Sequence, residues 1–244
     1  MKTFFTIAPR QQVSDKKYSV VWEDNNPIIT VENEEKSDGL SYIPVDCDLI
    51  YEKPTCWPVL PLINKYVKEG ENFRIIVLTA TDDSVPLSSP ENKTSLCHVN
   101  CELLRFDANK LCEENNLGNA EISKVEIPLG ESNNNLVFTL RRLMESYNAE
   151  DTYYFDISYG TKVFTICLSI FIHFLSNNGA YTECVSYGEA QWSRVEDKSK
   201  ITSKYIYDIT RLFIISDLLA DMSEIFKFEV DDQKVVTDGL ISEE

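Results

Sequence analysis

Apolar and polar positions follow two periods along the chain, one typical of strands and one typical of helices. Short β-branched or aromatic runs predict strands at 2–8, 73–79, 122–127, 153–158 and 181–187. Apolar residues spaced three and four apart predict helices over about 58–70, 95–115, 133–147, 161–175 and 210–226. Strands that alternate with helices of these lengths indicate an α/β fold with a mostly parallel sheet and flanking helices.

Two further features lie at the ends of the chain. Short strands at 18–22 and 28–31, around the turn residues Asn25-Asn26-Pro27, predict a β-hairpin near the N-terminus. Residues 229–244 are acidic and poor in apolar side chains, so we expect a tail or linker there. Residues 1–228 are predicted to form one domain.

Charge excludes several classes of partner. The 244 residues include 40 acidic and 23 basic side chains, which gives a net charge of −17. A protein that coats duplex DNA needs a basic face, and docking on anionic membranes needs one as well. A small anionic ligand in a local pocket remains compatible, because backbone amides and helix N-termini attract anions whatever the net charge.

The apolar segments favour a cytoplasmic protein. The first residues lack the long apolar stretch of a secretory signal. The longest apolar run, 163–175, is shorter than the roughly 20 residues that a membrane helix needs. We therefore expect no membrane association and a cytoplasmic location.

The sequence offers little catalytic or metal chemistry. Its seven cysteines lack paired spacing and are predicted to be buried small hydrophobes. Cys97, His98 and Cys101 come nearest to a metal motif, but no second Cys or His pair stands at a matching distance. Phosphate-loop, dinucleotide, nucleophile-elbow and HExxH motifs do not occur, and His173 lies in the most apolar helix. We expect no metal and no cofactor.

Candidate binding residues follow from the predicted topology. Ligands of open α/β sheets bind beyond the carboxyl ends of the strands. Four loops are predicted at that edge, after the strands that end near Ala8, Thr79, Ser158 and Tyr187. The candidate ligand-binding residues are therefore Ala8, Pro9, Arg10, Thr79, Ala80, Thr81, Asp82, Ser158, Tyr159, Gly160, Thr161, Lys162, Tyr187 and Gly188.

The loop from Asp156 to Lys162 carries the strongest signal. Gly160 allows a tight turn or a positive φ, and Thr161 can cap the helix that follows. Backbone amides there would point at a negative group, with the charge of Lys162 at the same end. The alternative is ordinary helix capping, since Gly-Thr is common at strand-to-helix junctions of α/β proteins.

The same segment carries a family resemblance. Tyr154-Phe-Asp-Ile-Ser-Tyr-Gly-Thr-Lys162, followed by an apolar helix, resembles the Asp-Ile-Thr-(His/Tyr)-Gly-(Phe/Thr)-(Arg/Lys) element of CARF domains, the CRISPR-associated Rossmann folds. The helix 133–147 that leads through Asp151 into this strand is similar, as is Tyr207-Asp-Ile-Thr-Arg-Leu at the last helix. The chain departs from the family at Ser158, where Thr is usual, and in the first loop, which has no glycine.

The resemblance implies a Rossmann-like homodimer that senses cyclic oligoadenylate, the RNA second messenger of type III CRISPR complexes. The ring would bind across the two-fold axis, cyclic tetra-adenylate being favoured and hexa-adenylate possible, and would regulate an antiviral effector outside this chain. The stripe 212/215/219/222/226 is a candidate dimer interface, although the same stripe could instead cover the sheet.

Two alternative functions stay open. The protein could be a metal-independent ring nuclease, in which the resemblance gives Ser158, Thr161 and Lys162 as the catalytic candidates. It could also be an unrelated cytosolic α/β enzyme or regulator for another nucleotide or anionic metabolite.

Overall fold

The structure is a computed structural model. It describes residues 1–10, 18–23, 26–31, 39–80, 96–128, 132–195 and 198–226. Thr81, Asp82 and the predicted tail 229–244 lie outside the described residues. The chain divides into two units, Met1–Asp208 and a segment that begins at Ile209. The division predicted at 228/229 stays a prediction.

The strands and helices follow the sequence pattern closely. The strands are β1 (Lys2–Ile7), β2 (Tyr18–Glu23), β3 (Asn26–Val31), β4 (Ile43–Val45), β5 (Phe73–Ala80), β6 (Ala120–Ile127), β7 (Thr152–Asp156), β8 (Tyr181–Val195) and β9 (Lys198–Asp208). The helices are α1 (Val59–Tyr66), α2 (Leu96–Glu114), α3 (Asn133–Met144), α4 (Lys162–Asn177) and α5 (Thr210–Phe226). α5 belongs to the second unit and the other elements to the first.

The main sheet has seven strands in the order β4-β9-β8-β7-β1-β5-β6, and β2 and β3 form a separate antiparallel pair. The five strands from β8 to β6 are parallel to one another, while β9 is antiparallel to β8. Counted among those five alone, the chain order is 3-2-1-4-5, which is the Rossmann arrangement. The predicted α/β fold with a mostly parallel sheet is confirmed.

The direction of chain winding reverses at β1. Phe5 of β1 is paired with Ile76 of β5 on one side and with Phe155 of β7 on the other. The chain builds outward through β5 and β6 first, then returns to β7 and β8. In open α/β sheets such a reversal leaves a crevice at the carboxyl ends of the two strands, here β1 and β7.

Aromatic side chains from both faces of the central strands form the core. Phe4 stacks on Tyr154 at 4.5 Å between ring centroids, and Tyr66 of α1 covers Tyr154. On the other face, Phe5 stacks on Phe155 at 5.1 Å, and Phe171 of α4 packs on both rings. Because successive strand residues point to opposite faces, α1 and α4 lie on opposite sides of the sheet. Each buried ring contributes roughly 1.5–3 kcal/mol, which fixes the ends of β1 and β7 firmly.

The region after Tyr187 differs from the prediction. The predicted loop at 187–189 is wrong, since β8 continues to Val195 and pairs with β9. Gly188 suggested a turn, but it lies inside β8. Its lack of a side chain lets the strand lie close to Pro58 and Ser158. A Cβ on Gly188 would lie 2.8 Å from Cγ of Pro58 and 3.0 Å from Oγ of Ser158. β4 and β9 were not predicted.

Among the described residues, no helix combines the length and the apolar character needed to cross a lipid bilayer.

Candidate functional site

A cavity of about 370 Å³ lies at the carboxyl ends of β1 and β7, where the winding of the sheet reverses. Two loops that are far apart in the sequence form its wall. The lining residues are Pro9, Arg10, Ser158, Tyr159, Gly160 and Thr161. All six are among the candidates proposed from the sequence, and the structure brings them together.

The loop after β1 is fixed by backbone hydrogen bonds. The Ala8 N–H donates to the Leu78 carbonyl at 2.9 Å. The Pro9 carbonyl accepts from Nδ2 of Asn100, a buried residue of α2, at 2.7 Å. Arg10 follows directly and is exposed. The anchored backbone therefore presents a single guanidinium at the cavity.

The turn between β7 and α4 depends on Gly160. Its φ is +101°, which L side chains rarely adopt. A Cβ there would lie 2.9 Å from Cγ2 and 3.0 Å from Cδ1 of Ile7, the last residue of β1. Glycine thus lets the second loop lie directly against the end of β1.

Thr161 occupies the N-cap position of α4 without using its side chain as a cap. Its backbone is extended, with φ −78° and ψ 160°, and its hydroxyl makes no capping hydrogen bond. By contrast, the hydroxyl of Ser132 caps α3 by accepting from the Asn135 N–H at 3.3 Å. The amino end of α4, with its partial positive charge, therefore reaches the cavity wall without a side-chain cap.

A buried carboxylate lies beneath the wall. Asp156 is 0% exposed and accepts three hydrogen bonds, from the Thr6 hydroxyl at 2.7 Å, the Ser158 N–H at 3.0 Å and the Ser158 hydroxyl. Burial raises the pKa of Asp156, and the hydrogen bonds from Ser158 and Thr6 offset that rise only in part. The Ser158 hydroxyl in turn accepts from the Gly188 N–H at 2.6 Å.

A second buried carboxylate, Asp151, directly precedes β7 and has positively charged partners. Asp151 is 4% exposed, contacts Arg74 at 2.9 Å and the N-terminal amino group at 3.2 Å, and accepts from Thr3 at 2.7 Å. Among the described residues, Asp156 has no basic partner of this kind. The two carboxylates therefore contribute differently to stability.

The Tyr159 hydroxyl is hydrogen-bonded in a region that no sequence motif indicated. Its hydroxyl donates to the Cys56 carbonyl at 2.6 Å. Tyr42, whose pKa is raised by burial and by Tyr159, donates to the same carbonyl at 3.4 Å. Lys204 of β9 is 2% exposed and donates to the neighbouring Thr55 carbonyl at 3.0 Å. These contacts join segments far apart in the chain, so local patterns could not reveal them.

The other described candidates from the sequence are not among the residues that line the cavity. Lys162 is the exposed first residue of α4 and is not one of the lining residues named above. Thr79 and Ala80 are buried at the end of β5. Tyr187 and Gly188 lie within β8, where Gly188 contacts Ser158 and Tyr187 is exposed.

The Cys97, His98 and Cys101 group does not form a metal site. Both cysteines are fully buried, and Nδ1 of His98 lies 3.1 Å from Nζ of Lys124. Burial and the Lys124 ammonium lower the pKa of His98. Across the described part of the chain, no group of three or more His, Cys, Asp or Glu side chains could hold a metal ion.

The described lining of the cavity therefore offers the Arg10 guanidinium, the Thr161 hydroxyl and the amino end of α4, since the hydroxyl protons of Ser158 and Tyr159 are already donated to Asp156 and Cys56. These are donors suited to an anionic ligand that also carries polar groups. In the comparisons with known proteins, no family model matches the chain, and no curated protein matches it either.

Proposed function

We propose that the protein is a sensor that binds a cyclic oligoadenylate across a homodimer and regulates an effector outside this chain. The observation that carries the proposal is the cavity at the reversal point of the sheet, with Arg10 and the amino end of α4 in its wall. Cyclic oligoadenylate is chosen as the ligand because the segment from Tyr154 to Lys162 resembles the CARF element.

The charge distribution supports an anionic ligand despite the net charge of −17. None of the described lining residues is acidic, and one is a permanent cation. Backbone amides and a guanidinium act at contact distance, where screening by salt is weak. Repulsion from distant carboxylates therefore does not prevent binding, whereas the nearby Asp156 carboxylate opposes an anion and is shielded by its hydrogen bonds from Thr6 and Ser158.

The size of the cavity supports a ligand that spans two copies. At about 370 Å³ it lies near the lower end of the roughly 300–1,000 Å³ typical of small-molecule sites. One cavity can take a nucleotide unit, whereas a ring of four or six nucleotides requires two cavities facing each other. The homodimer that the family resemblance implies would supply the second cavity.

Titration calorimetry with cyclic tri-, tetra- and hexa-adenylate tests the proposal. We expect binding of cyclic tetra-adenylate and recovery of the intact ring by chromatography after incubation. Recovery of linear product would make the protein a ring nuclease instead. If none of the three rings binds, the proposed ligand class is wrong.

Arg10 is expected to contribute strongly to affinity. Arg10→Ala should weaken ring binding by roughly 1–3 kcal/mol per site, as expected when a charge-assisted phosphate contact is lost. Lys162→Ala should weaken binding less, because Lys162 is not one of the residues that line the cavity, whereas Arg10 is. Arg142→Ala is the matched control, since it removes one exposed positive charge on α3, where Arg142 pairs with Glu145. Equal effects of Arg10→Ala and Arg142→Ala in calorimetry would refute a direct contact.

The homodimer is tested by mass in solution. Light scattering at micromolar concentration should give twice the 28.0 kDa of one chain. Within α5, Leu212, Ile215 and Leu219 share one face by their spacing, and we propose that this face forms the interface. Ile215→Glu combined with Leu219→Glu should then give the monomer mass. A monomer mass for the unaltered protein, with and without ligand, contradicts the proposal.

A further inference from the structure

Ser158 and Thr161 both line the cavity, yet their hydroxyl groups have different environments. The Ser158 hydroxyl donates to the Asp156 carboxylate and accepts from the Gly188 N–H at 2.6 Å. The Thr161 hydroxyl makes no capping bond to α4, and no hydrogen bond from it to another described residue is present. The two hydroxyl groups therefore differ in the hydrogen bonds that they can still make to a ligand.

The hydrogen bonds of Ser158 join three strands at one point. A hydroxyl has one proton and two lone pairs, so a donated bond and an accepted bond leave it one lone pair. Its acceptor, Asp156 at the end of β7, also accepts from Thr6 of β1 at 2.7 Å. Its donor, Gly188, lies where β8 extends beyond its pairing with β7. Loss of the Ser158 hydroxyl would remove the side-chain link between the turn and β8 and leave the backbone bond from the Ile157 N–H to the Ser186 carbonyl at 3.0 Å.

We propose that Ser158 is a positioning residue that fastens the turn between β7 and α4 to β8, and that Thr161 supplies the hydroxyl that contacts the ligand. The role of Thr161 rests on the proposed function, whereas the role of Ser158 is defined in the free protein. The ring-nuclease alternative has three catalytic candidates, Ser158, Thr161 and Lys162. Under this assignment their roles are not equivalent.

Hydrogen exchange of the free protein tests the role of Ser158. Ser158→Ala should raise the exchange rate of the Gly188 amide by about tenfold, because that amide loses its acceptor. Ser158→Thr retains the hydroxyl and should restore slow exchange. Thr161→Val is the matched control, and it should change neither the Gly188 exchange rate nor the melting temperature, since no capping bond is lost. Unchanged exchange in Ser158→Ala overturns the positioning role.

Binding of cyclic tetra-adenylate then tests the role of Thr161. Thr161→Val should weaken binding by about tenfold, and Thr161→Ser should retain it. Ser158→Ala should also weaken binding, with recovery in Ser158→Thr. Unchanged affinity in Thr161→Val overturns its contact role. Failure of the unaltered protein to bind the ring refutes the proposed function and with it the Thr161 contact, while the exchange data still decide the role of Ser158.

Discussion

Replacing Gly160 by alanine should lower the free energy of unfolding by about 3 kcal/mol, and urea unfolding measures this directly. Part of the loss comes from the backbone, because a φ of +101° is strained for an L residue by about 1–2 kcal/mol. The rest comes from overpacking, typically about 1–3 kcal/mol. The new methyl group would lie 2.9 Å from Cγ2 of Ile7, which is 2% exposed and cannot move aside freely.

Gly179 provides a matched control for the backbone part. It also has a positive φ, +73°, but a Cβ there would meet no atom within 4 Å. Gly179→Ala should therefore cost only about 1 kcal/mol. Both substitutions remove the same glycine freedom from the unfolded chain, so their difference reports the contact with Ile7 together with the extra backbone strain of a φ of +101° over one of +73°. Equal losses for the two variants would rule out a close approach of the turn to β1.

The sequence predicted the part of the site that depends on local patterns. The β-branched and aromatic runs of β1 and β7 are long enough to mark strands, and the apolar spacing of α4 marks a helix. Gly160 and Thr161 at the junction then locate the turn, and the rule for parallel sheets places Arg10 at the same edge. Local chemistry and topology together were sufficient for the six lining residues.

Contacts between segments that are far apart in the chain could not be predicted from such local patterns. Asp156 obtains its hydrogen bond from Thr6, and Tyr159 obtains its acceptor from Cys56. Gly188 and the polar residues after it favoured a loop where β8 continues, and no element was predicted over β9 although it contains several isoleucine and tyrosine residues. Pairing between β8 and β9 overrides that preference, and Gly188 is explained only once Pro58 and Ser158 are seen beside it.

Asp156→Asn should stabilise the protein at pH 7, whereas Asp156→Ala should destabilise it by about 2–3 kcal/mol. Asparagine removes the buried charge and can still accept from the Ser158 N–H and hydroxyl, while its NH2 group donates to Oγ1 of Thr6 in a bond whose direction is reversed. Alanine leaves three donors without an acceptor, at about 1–3 kcal/mol for each buried group, and the removal of the buried charge offsets part of that loss.

The pH dependence separates charge from hydrogen bonding. Because burial raises the pKa of Asp156 above its ordinary value of 3.8, the folded protein binds more protons than the unfolded chain above that pH. The contribution of Asp156 to stability is therefore fully present below about pH 3.8 and is lost as the pH rises through the raised pKa. Urea unfolding from about pH 4 to 8 should show the advantage of Asp156→Asn growing with pH over that window.

Asp151→Asn is the control, because Asp151 is a buried carboxylate with positive partners. Its replacement removes the contacts with Arg74 at 2.9 Å and with the N-terminal amino group at 3.2 Å. Breaking a fully buried pair from one side costs about 3–5 kcal/mol, which is an upper limit here because the partners of Asp151 are partly exposed, so Asp151→Asn should be less stable than the unaltered protein at pH 7. The two Asp→Asn variants should thus change stability in opposite directions. If Asp156→Asn does not gain stability relative to the unaltered protein as the pH rises, the account of an uncompensated charge beneath the cavity is wrong.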